Sequence, residues 1–419
     1  AEHTVMIITL LLFGFLIKLG GLGVHVWLPG VYTDTDDDFT AIMSSIVSKA
    51  GLFGLFAVGI HITTQFNDIE ALMFVLGWFG LVMALAGALM AVFQEDVKKL
   101  LAYSSVGQMG YIITGFALTS HMGWVASMYL AVNHVLYKGL IFLAIAGVLY
   151  RTNTRLMYKM GGLIKNMPIS FVSVMIGIIA ISGVPPLLGF GGKWMMYNAL
   201  VEKGWYLQTA MAFFASAVAF LYLFRLIHTV FLGQQKTEHA DIKEAPITLL
   251  IPQVFIMVII LAFSMFPHVL IEPLSTAISP YIASTITWTG HLLETKQGYW
   301  NGFMVMNVVA GIFLVPLFIL WMLSKVTNIQ PVKQFNIVFA AERPESPETT
   351  HYAYNFYAFY EKALGFLVKP NAIHFWDASA EWAHSFGAAL RRFYTGNGQT
   401  YMAIILMYLG IIYLSMRAI

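Results

Sequence analysis

Apolar residues in this chain come in long continuous runs, without the alternation of a half-buried strand. The runs lie near 4–20, 40–62, 70–93, 101–119, 122–149, 166–203, 207–232, 246–270, 301–324 and 400–417. A helix needs about 20 predominantly apolar residues to cross the hydrocarbon of a bilayer, and each run predicts one such crossing. At membrane depth the backbone must satisfy its own hydrogen bonds, and barrel strands would alternate in polarity. The fold expected is therefore an all-α polytopic membrane protein.

Two runs contain residues that a continuous helix tolerates poorly. After "FLIK" comes "LGGLG", with Gly20 and Gly21, and within 166–203 stands "SGVPPLLGFGGKW", with Pro185, Pro186, Gly191 and Gly192. In a helix interior glycine costs about 1 kcal/mol and proline about 3 kcal/mol relative to alanine. Non-helical backbone at this depth survives where it lines a protein-buried or wet cavity, and paired interruptions of this kind point to a transporter's ion path. Both runs are expected to be discontinuous helices.

Composition supports the membrane assignment. Of 419 residues, 59% are hydrophobic and 11% charged, against about 25% charged in a soluble domain. A net charge of +2 gives no reason to expect nucleic acid as a partner. The absence of cysteine excludes disulfides and thiolate-ligated metal or iron–sulfur centres within the chain. Twelve scattered histidines form no metal-ligand pair, and neither a phosphate-binding loop nor a dinucleotide fingerprint occurs. No cofactor is expected in this chain, so any redox or nucleotide chemistry that drives it belongs to another subunit.

With each broken run counted as one crossing, Lys98, Lys99, Arg151, Arg155, Lys159 and Lys165, followed by Lys236, Lys243, Lys325 and Lys333, fall on one side. Lys203 and Lys296 fall on the other. The positive-inside rule makes the first side cytoplasmic, in an inner (cytoplasmic) membrane, with the acid cluster Asp34, Asp36, Asp37 and Asp38 on that side as well. The charged turn Glu95–Lys99 is expected to be solvated. Residues 1–270 are expected to form the transmembrane core, and 271–325 a loop and an additional crossing. The connector lies in 326–399, followed by a final helix in 400–419. Within 354–394, apolar residues at helical spacing alternate with Glu361, Lys362, Asp377, Glu381 and Arg391. This suits a lateral amphipathic helix on the membrane surface, bent at Pro370, or alternatively a soluble helix that binds a partner.

Four lysines stand inside the expected bilayer: Lys18 and Lys193 beside helix breaks, Lys49 and Lys138 near span middles. An uncompensated lysine at a helix centre costs about 2.5–3.5 kcal/mol on insertion scales. One could snorkel to the interface, but four argue for a shared task. Burial and a nearby cation both disfavour an ammonium's charged form, so such groups can load and release a proton as neighbouring charge changes. The alternative is structural pairing with backbone carbonyls. His134 precedes Lys138 by four residues and shares its helix face, either as a relay or simply hydrogen-bonded. His25, after the first break, is a second relay or a loop anchor. Arg225 and His228 read as structural.

The segments "GVHVWLPGVY", "QEDVKKLLAYSSVGQMGYIITGF", "NHVLYKGLIF", "MGGLIKNMP" and "SGVPPLLGFGGKW" resemble the antiporter-like subunits of respiratory complex I. They resemble equally the related subunits of Mrp-type cation/proton antiporters and membrane-bound [NiFe] hydrogenases. The match runs from about residue 5 to 270 in the family's order. The resemblance implies an inverted-repeat antiporter-like fold of fourteen core helices with two discontinuous helices. It also implies a hydrated proton or Na⁺ path through Lys18, Lys49, His134, Lys138 and Lys193. Other membrane subunits are implied as partners, contacted in part through the lateral helix 354–394, with the lipid bilayer around them. Two departures stand out. "TDTDDDFTAIMSS" replaces a proline-rich stretch, which favours a hydrogenase-type or Mrp-type relative. The chain also begins at the family's seventh core helix, as expected of a fragment of a longer subunit, without the helix whose glutamate pairs with the Lys18 position. The function expected is ion translocation in a redox-driven complex, the alternatives being a stand-alone Mrp-type exchanger or a structural subunit with a vestigial path.

Overall fold

The computed structural model describes residues 2–65, 69–232, 235–325, 358–368 and 371–391, with 399, 402–403 and 405–409. It divides into a unit from Ala1 to Val368 and a second from Lys369 to Ile419.

In the first unit, α1 (Glu2–Leu19) stops at the first break. Gly20 there adopts φ +73°, which a β-carbon disfavours, and the Gly21 N–H donates to Leu16 O at 2.7 Å. The chain resumes as α2 (Trp27–Asp34), turns at an acidic elbow and re-enters as α3 (Asp37–Ser45). A 3₁₀ turn, Val47–Lys49, separates α3 from α4 (Ala50–Gln65). The run at 40–62 was expected to be continuous, so this is a third interruption, and Lys49 lies at it rather than mid-helix. Side chains cause it. Ser45 Oγ donates to Ala41 O at 2.5 Å and Ser48 Oγ to Ser44 O at 3.0 Å, so hydroxyls compete for carbonyls the helical ladder would use.

Helices α5 (Glu70–Val92) and α6 (Val97–Ala117) pack through glycines. A β-carbon on Gly87 would meet the Gly107 backbone, and one on Gly110 would meet Gly80 and Ala84. This small-residue contact brings two membrane helices close together and leaves α6 buried along nearly its whole length. The long helix α7 (His121–Thr152) is capped by Ser120, whose Oγ accepts from the Gly123 N–H, and ends at Asn153 in the left-handed region.

The second break lies between α8 (Pro168–Ser182) and α9 (Leu188–Glu202), around Pro185 and Pro186. Gly191 and Gly192, expected within the break, are helical residues of α9. They are small because Trp300 covers the first, while Leu130 and Tyr129 cover the second. Asn133 Nδ2 donates to Leu188 O at 3.0 Å and the Leu188 N–H donates to Ser264 Oγ at 2.9 Å, so two side chains satisfy the backbone where α9 begins.

Helix α10 (Tyr206–Ile227) ends in a π-turn, His228–Leu232, and α11 (Ile247–Met265) follows. The stretch after 270, expected as a loop, is ordered as α12 (His268–Ile278) and a three-stranded antiparallel sheet. Its strands are β1 (Thr287–Thr289), β2 (Leu292–Thr295) and β3 (Gly298–Asn301), and α13 (Gly302–Ser324) leaves from it. Among the described residues, six stretches are long and apolar enough to cross a membrane. Helix α14 (Ala358–Val368) completes the described part of the unit.

In the second unit, α15 (Asn371–Arg391) exposes Phe375, Trp382 and Phe386. The lateral region expected over 354–394 is thus helical in α14 and α15. Pro370, the connector 326–350 and all of 400–417 except 402–403 and 405–409 lie outside the described residues.

Candidate functional site

The polar centre of the first unit is built on α6 and α7. Lys138 is fully buried on α7, and its Nζ donates to Leu101 O at 2.7 Å and to Ser104 Oγ, both on α6. His134 is one turn away, equally buried, with its ring 5.2 Å from that of Tyr137. Both His134 ring nitrogens lack a protein hydrogen-bond partner. An unmade hydrogen bond of this kind costs about 1–3 kcal/mol, and buried water is the usual way such groups are satisfied. Lys49, only 9% exposed, donates to Ser44 O and to Ser48 Oγ at 2.7 Å. Lys49 and Lys138 are close enough for their charges to act on His134 and on each other. The third interruption therefore delivers an amine to the central pair.

Lys193 forms the second polar centre, beside the second break. Its Nζ donates to Ser182 O at 2.9 Å, the last residue of α8, and to Ser216 Oγ on α10 at 3.1 Å. It also lies 4.7 Å from the centre of the Tyr111 ring. Gly183, at φ +74°, leaves room for the lysine stem that a β-carbon would strike. A cavity of about 420 Å³ opens here, lined among others by Ser182, Lys193, Trp194, Tyr197 and Ser216.

Buried hydroxyl and amide groups gather around the two centres. Ser104 accepts from Lys138, and the buried Tyr222 side chain lies near Ser104 and Gln108. Tyr137 Oη donates to Gln108 Oε1 at 3.4 Å. Tyr111, Tyr137 and Tyr222 are all buried in this region. Tyr111 and Tyr197 each share a hydrogen bond with Ser216 Oγ, at 3.0 and 2.8 Å, and Ser216 accepts from Lys193. Sequence reading missed Ser104, Gln108, Tyr111, Tyr222 and Ser216. The available signal was their polarity inside apolar runs, in "YSSVGQMGY" and "FLYLFR".

The remaining expected residues stand differently. Lys18 was expected to be buried, but its side chain is exposed on α1, with its stem against Gly51 of α4. His25 is buried, its Nδ1 accepts from the Gly23 N–H at 3.2 Å and its ring packs edge-on to Tyr103, a loop-anchoring geometry. The charged turn expected to be solvated is instead fastened down. Lys98, 1% exposed, donates to Asp37 Oδ1 and to Thr35 O, both at 2.7 Å. Arg155 reaches Thr33 O at 2.7 Å and Asp96 at 3.4 Å. Arg225, also buried, donates to Val92 O and Glu95. Among the described residues, no group of three His, Asp or Glu side chains could hold a metal ion.

Comparison with known proteins identifies the family. Residues 1–219 match the family described as NADH:quinone oxidoreductase/Mrp antiporter, TM. Over 341 residues the chain is 30% identical to an Na(+)/H(+) antiporter subunit of Alkalihalophilus pseudofirmus, covering 73% of this chain and 41% of that protein. It is 26% identical to an NADH-quinone oxidoreductase subunit of Desulforudis audaxviator over 54% of this chain and 46% of that one. The chain thus spans less than half the length of these curated relatives. Among solved structures, a chain of the membrane-bound sulfane sulfur reductase, an archaeal respiratory membrane complex, superposes with TM-score 0.86 at 28% identity, over 100% of this chain and 69% of that one. The protein belongs to the NADH:quinone oxidoreductase/Mrp antiporter transmembrane family.

Proposed function

We propose that this chain translocates protons, or Na⁺, within a redox-driven membrane complex, and that another subunit performs the driving chemistry. The observation that carries the reading is the pair of buried amines, Lys138 bonded to Ser104 and Lys193 bonded to Ser216, with the buried phenols of Tyr111 and Tyr222 in the same interior. Hydroxyls both donate and accept, so with intervening water they can hand a proton along by exchanging hydrogen bonds. Lys49 supplies a further charge that acts on Lys138, and both lysines act on His134. Structural pairing explains single contacts, such as Lys138 to Leu101 O, but gives no reason to surround two buried lysines on different helices with further buried hydroxyls. A likeness over the whole chain to a respiratory complex supports the redox-driven reading over the stand-alone exchanger.

The resemblance implies a carboxylate partner for Lys18, and we assign that acid to a residue outside those described or to a neighbouring subunit. The partners are other membrane subunits, engaged in part through α14 and α15, and the membrane is the cytoplasmic one with the basic loops inside. In sealed vesicles of the assembled complex, Lys138→Ala and Lys193→Ala should each abolish ion uptake while the complex assembles and its redox turnover persists. Uptake at the native ratio in both variants would refute the relay.

A further inference from the structure

The sheet after α12 stands at the end of the bundle where α9 finishes. It is tied to that helix by Thr295 Oγ1 donating to Asn198 Oδ1 at 3.2 Å and by the Lys296–Glu202 ion pair at 2.8 Å. Its third strand carries Trp300, paired in register with Leu293 on β2. Leu293 is wholly buried and Trp300 only 4% exposed, so this exposed-looking hairpin turns one face firmly inward. The indole meets Phe190 and Trp194 with ring centres 6.2 Å away in each case. Between them it covers Gly191, where a β-carbon would collide with the six-membered ring. Phe190 and Trp194 line the cavity beside Lys193, and Gly191, two positions before Lys193, faces the opposite side of α9.

We propose that Trp300 is a positioning residue for Lys193, acting through Gly191: the hairpin presses the first turns of α9 into the register at which the amine reaches Ser182 O and Ser216 Oγ. The physical argument has two parts. A helix that begins at a break lacks the continuous hydrogen-bond ladder that would fix its rotation and height, so it needs contacts from outside. Packed interiors also transmit displacements with little give, so a wedge at Gly191 is felt at a residue two positions along. The polar ties at Asn198 and Glu202 hold the far end of the same helix.

The proposal rests on the relay reading for its consequence in transport, but not for its geometry, and the two can be tested apart. The chain has no native cysteine, so Lys193→Cys gives it a unique thiol whose reaction with a small methanethiosulfonate reagent reports the position and access of residue 193. In the assembled complex, adding Trp300→Ala should change that reaction rate several-fold, and adding Trp300→Phe should change it little. With Lys193 intact, Trp300→Ala should lower ion uptake by about tenfold, the scale expected of a small misplacement in a reactive site, and should displace its pH profile. Trp300→Phe should restore most of both. Gly191→Ala should impair uptake alone and recover when combined with Trp300→Ala. An unchanged thiol reaction rate in Trp300→Ala would overturn the proposal whatever transport does. A changed rate with uptake insensitive to Lys193→Ala would uphold the positioning and sink the relay instead. If Trp300→Ala fails to assemble, Trp300→Leu is measured in its place. In that case a reaction rate and pH profile equal to the native ones overturn the proposal, and altered ones support it.

Discussion

Removing Asp37 should destabilise the elbow between α2 and α3 more than removing Lys98, although the two form one ion pair. The Lys98 side chain is 2% exposed and that of Asp37 is 42% exposed. Breaking a fully buried pair by deleting one partner costs about 3–5 kcal/mol, because the other charge is stranded. In Asp37→Ala the stranded group is the buried amine, left with Thr35 O as its acceptor. Because the lost carboxylate was half solvated, the cost is discounted to about 2–3 kcal/mol. In Lys98→Met the stranded acid regains water and the methionine refills most of the space, so the loss is about 1 kcal/mol, chiefly the bond to Thr35 O. The double variant should cost about as much as Lys98→Met alone, a coupling of about 2 kcal/mol. Hydrogen exchange of amides 33–46 in the purified complex reads these values as local opening free energies. A larger loss in Lys98→Met than in Asp37→Ala, or additive losses, would refute the reasoning.

Glycine substitutions should separate packing from propensity. Gly87→Ala, against the Gly107 backbone, should lower the yield of folded protein sharply, while Gly14→Ala, with open space around it, should be neutral or stabilising by up to about 1 kcal/mol. Equal effects at both would contradict the α5–α6 contact. Ser264→Ala leaves the Leu188 N–H unpartnered and should destabilise by about 1–3 kcal/mol, measured by thermal unfolding, with faster proteolysis near the second break. In the loop between α10 and α11, burial holds His239 below the usual histidine pKa, with Glu238 opposing and Lys236 adding to the effect. The folded loop therefore binds fewer protons than the unfolded one, and its stability declines as pH falls below about 6.5. Hydrogen exchange over residues 235–242, corrected for intrinsic rate, should show more opening at pH 5 than at pH 7.5, and the reverse would contradict the assignment.

Six of the ten expected crossings and the two glycine- or proline-marked breaks were legible because membrane depth makes hydropathy and helix breakers unambiguous. So was the shared face of His134 and Lys138, which four-residue spacing dictates. The interruption at Lys49 was not, since "SSIVSKAG" contains no breaker before Lys49 and the helix yields there to serine and lysine side chains that take its carbonyls. Gly191 and Gly192 misled in the opposite direction: glycine marks a bend and a close approach with the same letter, and here Trp300, over a hundred residues away, selects the second. The charged turn at 95–99 looked solvated because its partners, Asp37, Arg155 and Arg225, are remote in sequence. The tyrosines and serines between the lysines were invisible for a related reason, as each is unremarkable alone and gains meaning only from the helices that bring it to its neighbours.

The most direct test of the central claim is an experimental map of the assembled complex fine enough to place water between Lys138 and Lys193. The account predicts ordered waters at both His134 ring nitrogens and along Ser104, Gln108, Tyr222, Tyr111 and Ser216, joining the amines in one connected file. Two lysines enclosed in separate dry pockets, with apolar side chains closing the space between Tyr222 and Tyr111, would contradict it.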